Sequence, residues 1–122
     1  MTESYPPKLT LTAANNCTWT AGPFAMLDAA GAPLALPEGA RVRMQLRAPA
    51  EADSAALELT LDNSRLRLVD KDAATIAIEV DAHAMATVAA KAYDIDVVVE
   101  YPSARVLRPF EGTVTIKQGV TR

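Results

Sequence analysis

The segment from Tyr93 to Arg122 constrains the fold most. Tyr93, Ile95, Val97, Val99 and Tyr101 alternate with Asp94, Asp96 and Glu100. Successive side chains of a strand point to opposite faces, so this rhythm demands one dry face and one wet face. Pro102-Ser103 reads as a turn. Arg105 to Lys117 then reads as a second strand, running almost to the end of the chain. Two adjacent strands of this kind imply a sheet that buries a single side.

The rest of the chain repeats the pattern in shorter units. Tyr5, Pro6 and Pro7 form an extended arm, because proline fixes φ and pushes the preceding residue towards extended geometry. Leu9 and Leu11 alternate with Lys8, Thr10 and Thr12, and Asn15-Asn16 marks a turn. Cys17 and Trp19 alternate with threonines, Gly22-Pro23 breaks that strand, and Phe24 to Leu27 resumes it. Asp28 to Gly31 closes it in a turn, and Leu34 and Leu36 form a brief apolar pair. Val42, Met44 and Leu46 lie opposite Arg41, Arg43, Gln45 and Arg47. Further strands are marked by Leu57, Leu59 and Leu61, by Leu66 and Leu68, and by Ile76, Ile78 and Val80. The alanine-rich stretch from Asp81 to Ala92 breaks the rhythm. Met85, Val88 and Ala92 take helical spacing there, Asp81 is a suitable N-cap, and a helix of two to three turns is expected to cross between sheets.

At 122 residues the chain supports one domain, a single β domain over 8–122 behind an arm at 1–7. About eight short strands with turns at intervals of ~8–12 residues, and one short helix, fit an all-β, two-layer antiparallel sandwich. The helix before the Tyr93 strand resembles the connection between sheets in immunoglobulin-like domains. Tyr93 itself is similar to their tyrosine corner, although a plain core aromatic is the simpler reading. Half the chain is apolar, but much of that half is alanine, and aromatics make up 5 %. Alanine buries little area. At ~25 cal/mol per Å² the core yields modest stability to a lone monomer, a deficit that assembly would relieve.

Function classes narrow by elimination. A net charge of -3 supplies no basic face for nucleic acid. No apolar run approaches the ~20 residues of a membrane span, and the polar start Met1-Thr2-Glu3-Ser4 does not read as a signal peptide. The single Cys17 cannot close an internal disulfide and is expected to fill the core beside Trp19. His83, the one histidine, falls in the helix with no nucleophile or base patterned around it, and a solvent-facing position is expected. One Cys and one His do not make a zinc site, and Asp62, Asp94 and Asp96 lack the spacing of a calcium loop. There is no phosphate loop and no nucleophile elbow. The reading includes no catalytic residue, cofactor or metal. Pro109 lacks an N–H, so the last strand is expected to be an edge or to bulge there.

What remains is surface. Arg41, Arg43 and Arg47 stripe the wet side of one strand, and Asp94, Asp96 and Glu100 that of another. Between neighbouring strands such stripes would pair within the chain, each pair contributing ~0.2–1 kcal/mol. Between subunits they would set orientation. These six residues, with Tyr5, Pro6 and Pro7, are the candidate interaction residues.

Asp28 to Leu36, Val42 to Arg47, Tyr93 to Val97, Gly112 to Ile116 and the closing Val120-Thr121-Arg122 together resemble small structural proteins of tailed bacteriophages. They look most like the immunoglobulin-like N-terminal domain of baseplate upper proteins, and like short prophage tail proteins made of that domain alone. The resemblance spans about Leu9 to Arg122. It implies a non-enzymatic virion part, a tail, baseplate or fibre-adaptor component made in the bacterial host cytoplasm. Its partners would be other copies of itself and other virion proteins, with no nucleic acid, membrane or small-molecule ligand. Alternatives are a capsid decoration protein or a carbohydrate- or surface-binding module.

Overall fold

The structure is a computed structural model describing residues 5–121. Met1 to Ser4, which belong to the expected arm, and Arg122 lie outside the described residues.

Eight strands and one helical turn follow in the order β1 (Lys8–Ala14), β2 (Trp19–Ala25), β3 (Arg41–Arg47), β4 (Leu57–Thr60), β5 (Leu66–Asp70), β6 (Thr75–Val80), α1 (Ala82–Met85), β7 (Ala92–Glu100) and β8 (Val106–Lys117). They form two sheets, one ordered β1-β8-β7-β3-β4 and the other β2-β6-β5. The chain is therefore mostly β and built in two layers, as the period-2 pattern requires. All pairings are antiparallel except one: β1 runs parallel to β8, from Lys8 opposite Glu111 to Ala14 opposite Lys117.

The core is what the alternation selects. Val42, Met44 and Leu46 of β3, Leu57 and Leu59 of β4, and Tyr93, Ile95, Val97 and Val99 of β7 are all buried. They meet Trp19, Leu66, Ile76, Ile78 and Val80 from the three-stranded sheet. Leu34 and Leu36, the brief apolar pair, are also buried. Phe24 of β2 and Phe110 of β8 bridge the layers edge to face at 6.0 Å. The Tyr93 hydroxyl donates to the Ala89 carbonyl at 2.7 Å, so its polar end is satisfied while its ring is buried.

Four local expectations need correction. Gly22-Pro23 does not break the second strand: pairing passes from Ala21 opposite Ile78 to Phe24 opposite Ile76, so the two residues form a bulge inside β2. Gly22 takes φ +105 there, and Pro23 has no N–H to leave unpaired. Leu61 lies in the turn beyond β4 rather than in it. Cys17 is exposed rather than buried, because the Asn15-Asn16 turn extends through it and the buried alternation starts only at Trp19. The helix is one turn, not two or three. Asp81 caps it as expected, its carboxylate accepting from Ala84 N at 2.7 Å. Thr87 then ends it: its hydroxyl bonds the Ala84 carbonyl, the next backbone bonds tighten to i→i+3 spacing, and Ala92 already belongs to β7. The turn does carry the chain from the three-stranded sheet to the five-stranded one.

Pro109 sits where both features proposed for it coincide. Val97 pairs with Phe110 and Val99 with Leu107, so β8 carries an extra residue at Arg108-Pro109, and β1 pairing begins only at Glu111.

At Gly112 the backbone of β1 comes close to β8. A Cβ added there would fall 1.9 Å from the Leu9 carbonyl oxygen, a backbone atom that cannot move without unseating β1. At Gly31 (φ +88) the same Cβ would meet nothing, leaving only the conformational strain. Gly112→Ala is therefore expected to lower unfolding free energy by more than ~2 kcal/mol, and Gly31→Ala by about 1 kcal/mol. Denaturant titration of both variants checks the order.

Candidate interaction surface

The outward face of the five-stranded sheet is polar because its strands share one alternation. β3 and β7 are neighbours, and their register sets Arg41 opposite Glu100, Gln45 opposite Asp96 and Arg47 opposite Asp94. The two stripes read from the sequence thus meet within one chain. Arg43, opposite Val98, reaches diagonally to Glu100 at 3.1 Å and across to Glu58 of β4 at 3.2 Å. Val98 is half-buried beneath this cover rather than projecting as a contact point.

Glu58 is the centre that the sequence stripes did not reveal. It accepts from both Arg43 and Gln45. These two bonds, Gln45 first, hold its carboxyl below the usual carboxylate range. The bonds to Glu100 and Glu58 in turn push the Arg43 guanidinium up. Both side chains remain more than a third exposed, so water screens the pair and its contribution is modest. The signal was present: Glu58 occupies the wet side of its strand, like Gln45 on β3, but only the pairing of β3 with β4 unites them.

Arg47 turns away from Asp94. Its guanidinium donates to Gln45 Oε1 at 2.8 Å and to the Ala52 carbonyl, tying the 48–56 loop to the sheet. Arg41 and Asp94 form no ion pair among the described residues. Asp96 is shared with Arg108 at 4.0 Å, and Arg108 also reaches Glu111 at 3.6 Å. The expected arm is docked from Tyr5 onwards. The Tyr5 hydroxyl donates to the Leu27 carbonyl at 2.8 Å, and the Pro7 carbonyl accepts from Glu111 N at 3.2 Å. Burial, followed by the charge of Asp28, pushes the Tyr5 phenol above its usual range.

Beside Pro7 the surface sinks into a broad open depression of about 640 Å³. Lys8, Arg47 and Arg108 line it together with Asp94, Asp96 and Glu111, three charges of each sign. Its charges balance, so it selects neither an anion nor a cation by net charge. Among the described residues no three His, Cys, Asp or Glu side chains cluster as around a metal ion. No helix among them is long and apolar enough to cross a membrane. His83 is exposed on α1.

No family model and no curated protein matches the chain.

Because the folded-state pKa of Glu58 is depressed, its ionised form is stabilised in the folded chain. That contribution is full above the unfolded value of ~4.3 and is lost as pH falls through the lower folded value. Glu58→Gln is expected to cost under ~1 kcal/mol at pH 7. The gap to the parent chain should narrow as pH falls below the usual carboxylate range. Unfolding curves at several pH values check this, and a gap independent of pH contradicts it.

Proposed function

We propose that this chain is a non-enzymatic structural part of a tailed-phage particle, an immunoglobulin-like sandwich that docks through its surfaces in a symmetric assembly of tail or baseplate. The observation that carries the proposal is where the phage-like segments fall. Val42 to Arg47 lies in β3, Tyr93 to Val97 in β7 and Gly112 to Ile116 in β8, three consecutive neighbours of one sheet. Their outward side chains form the mixed-charge surface and its depression. Three of the five stretches taken to resemble one family thus share one continuous face, while Asp28 to Leu36 lies in the connection between β2 and β3.

The immunoglobulin-like reading draws support from strand order. With β2, β6 and β5 in the places of strands B, E and D, and β3, β7 and β8 in those of C, F and G, each sheet has the neighbours such domains have. The first strand then lies beside the last rather than beside the second. The helical turn falls at the corner between E and F. Tyr93, near the start of F, bonds back to a carbonyl four residues upstream, as a tyrosine corner does.

Docking on such a face is by recognition alone. Arg43 is held by Glu58 and Glu100, while Arg41 and Asp94 stay available to charges on a neighbour. The N-terminal segment provides a second contact.

Removal of residues 1–7 is expected to leave the domain folded and to abolish its incorporation into phage particles, read by mass spectrometry of purified virions. Unchanged incorporation rules out a role for the arm, and absence of the intact chain from particles rules out the virion reading. Strong glycan-array binding by the purified chain would favour the carbohydrate module instead.

A further inference from the structure

A two-sheet protein has strand edges that it must pair, cover or disable. This chain treats its four edges unequally. On β4, the Glu58 carbonyl accepts from Asn63 Nδ2 at 3.0 Å and from Arg65 Nη1 at 3.1 Å, and Thr60 N–H donates to Asn63 Oδ1 at 3.0 Å. Side chains of the following turn thus occupy the groups a new strand would need. On β2 the bulge at Gly22-Pro23 interrupts the ladder and removes one donor. On β1 Leu9 and Leu11 pack inward against the core, and among the described residues no side-chain hydrogen bond reaches the backbone of Lys8 to Ala13, so that edge is uncovered.

The β5 edge is uncovered too, and it alone adds an exposed apolar pair. Leu68 is 36 % exposed and Val69 49 %, and no other two large apolar side chains this exposed are adjacent in sequence among the described residues. Glu79 N–H donates to the Arg65 carbonyl at 2.9 Å. By the alternation of an antiparallel ladder, the inward-bonding residues are then Arg65 and Arg67, and the N–H and C=O groups of Leu66 and Leu68 face away from β6.

We infer that this edge pairs with the β5 edge of a second copy, antiparallel about Leu68. The charges within the strand, Arg67 and Asp70, complement those of a second copy in this register. Arg67 lies opposite Ala77 and Asp70 opposite Thr75, so the irregularity at Val69 brings both charges to the outer face. Neither forms an ion pair within the chain among the described residues. One Asp70 oxygen accepts from Asp72 and Ala73 N–H, leaving the other available. With Leu68 opposite its own copy, Arg67 faces Val69 of the second copy, one residue from that copy's Asp70. The two-fold axis makes this contact twice. A register centred on Arg67 would oppose like charges inside the strand, whereas in the Leu68 register the like charges Arg65 and Lys71 meet only beyond the strand ends. The inference specifies one contact of the symmetric assembly proposed above and rests on that reading only for its setting, since the pairing itself needs no other protein.

One strand pair buries less than the ~1,200 Å² of a standard interface, so the free dimer is weak. Sedimentation velocity of the whole chain from ~10 µM to ~1 mM covers the relevant range. A monomer–dimer equilibrium is expected, with amide exchange at Leu66 and Leu68 slowing as concentration rises. Arg67→Asp and Asp70→Arg should each weaken dimerisation about tenfold, and the two together should restore it to within about threefold. Both positions are exposed, and far-UV circular dichroism verifies that the variants fold. A monomer at every concentration overturns the β5 contact, as does a dimer indifferent to the single reversals or one not rescued by the double. None of these outcomes bears on whether the chain enters particles, which the truncation experiment decides separately.

Discussion

The pairing of β7 with β3 on one side and β8 on the other is the constraint from which the rest follows. Backbone bonding fixes register, and register fixes which side chains point inward. A one-residue slip of β7 would carry Tyr93, Ile95, Val97 and Val99 out of the core and bring Asp94, Asp96 and Glu100 into it. The cost of burying those carboxylates exceeds anything the surface ion pairs contribute. The apolar face therefore dictates the register, and the charge network on the other face is laid down as its consequence. The network adds modest stability but gives this side of the sandwich its chemical character.

How much of this was legible in the sequence depended on the range of the interaction. Alternation is local, so β3, β6 and β7 and their buried faces could be read directly. The Asp81 cap was equally plain, since it rests on contacts within one turn. Lateral neighbours were not legible. That β3 adjoins β7 was only one of two readings of the charge stripes, and the place of Glu58 between Arg43 and Gln45 depends on β4 pairing with β3. Irregular backbone was misread for the same reason. Gly22-Pro23 looks like a strand end until β6 is seen to continue past it, and only a paired partner distinguishes a bulge from a break. Cys17 was misplaced because alternation was extended one step too far into a turn. Alanine misled over α1: its helix propensity favours a longer helix, but Thr87 redirects the chain.

The two broad surfaces differ in kind. The five-stranded face is charged, internally braced and bordered by the docked segment from Tyr5 to Lys8, with the open depression beside it. On the three-stranded side, β5 has exposed apolar side chains, and its outward backbone groups at Leu66 and Leu68 have no partner among the described residues. The first arrangement favours contacts chosen by charge, and the second favours contacts made by the backbone itself. The β4 edge is capped and the β2 edge interrupted, so their contrast with β5 is a property of particular residues, above all Asn63, Arg65 and Pro23.

The parallel alignment of β1 with β8 has a mechanical consequence. The first strand enters the domain at one end of the ladder, and the last leaves at the other. Tension applied at the two extremities would slide these strands along each other. Seven residue pairs would then bear the load together instead of parting one at a time from an end. Such a domain yields late when stretched along its length, and Gly112, by admitting the Leu9 backbone so closely, is one of the points that let the two strands grip.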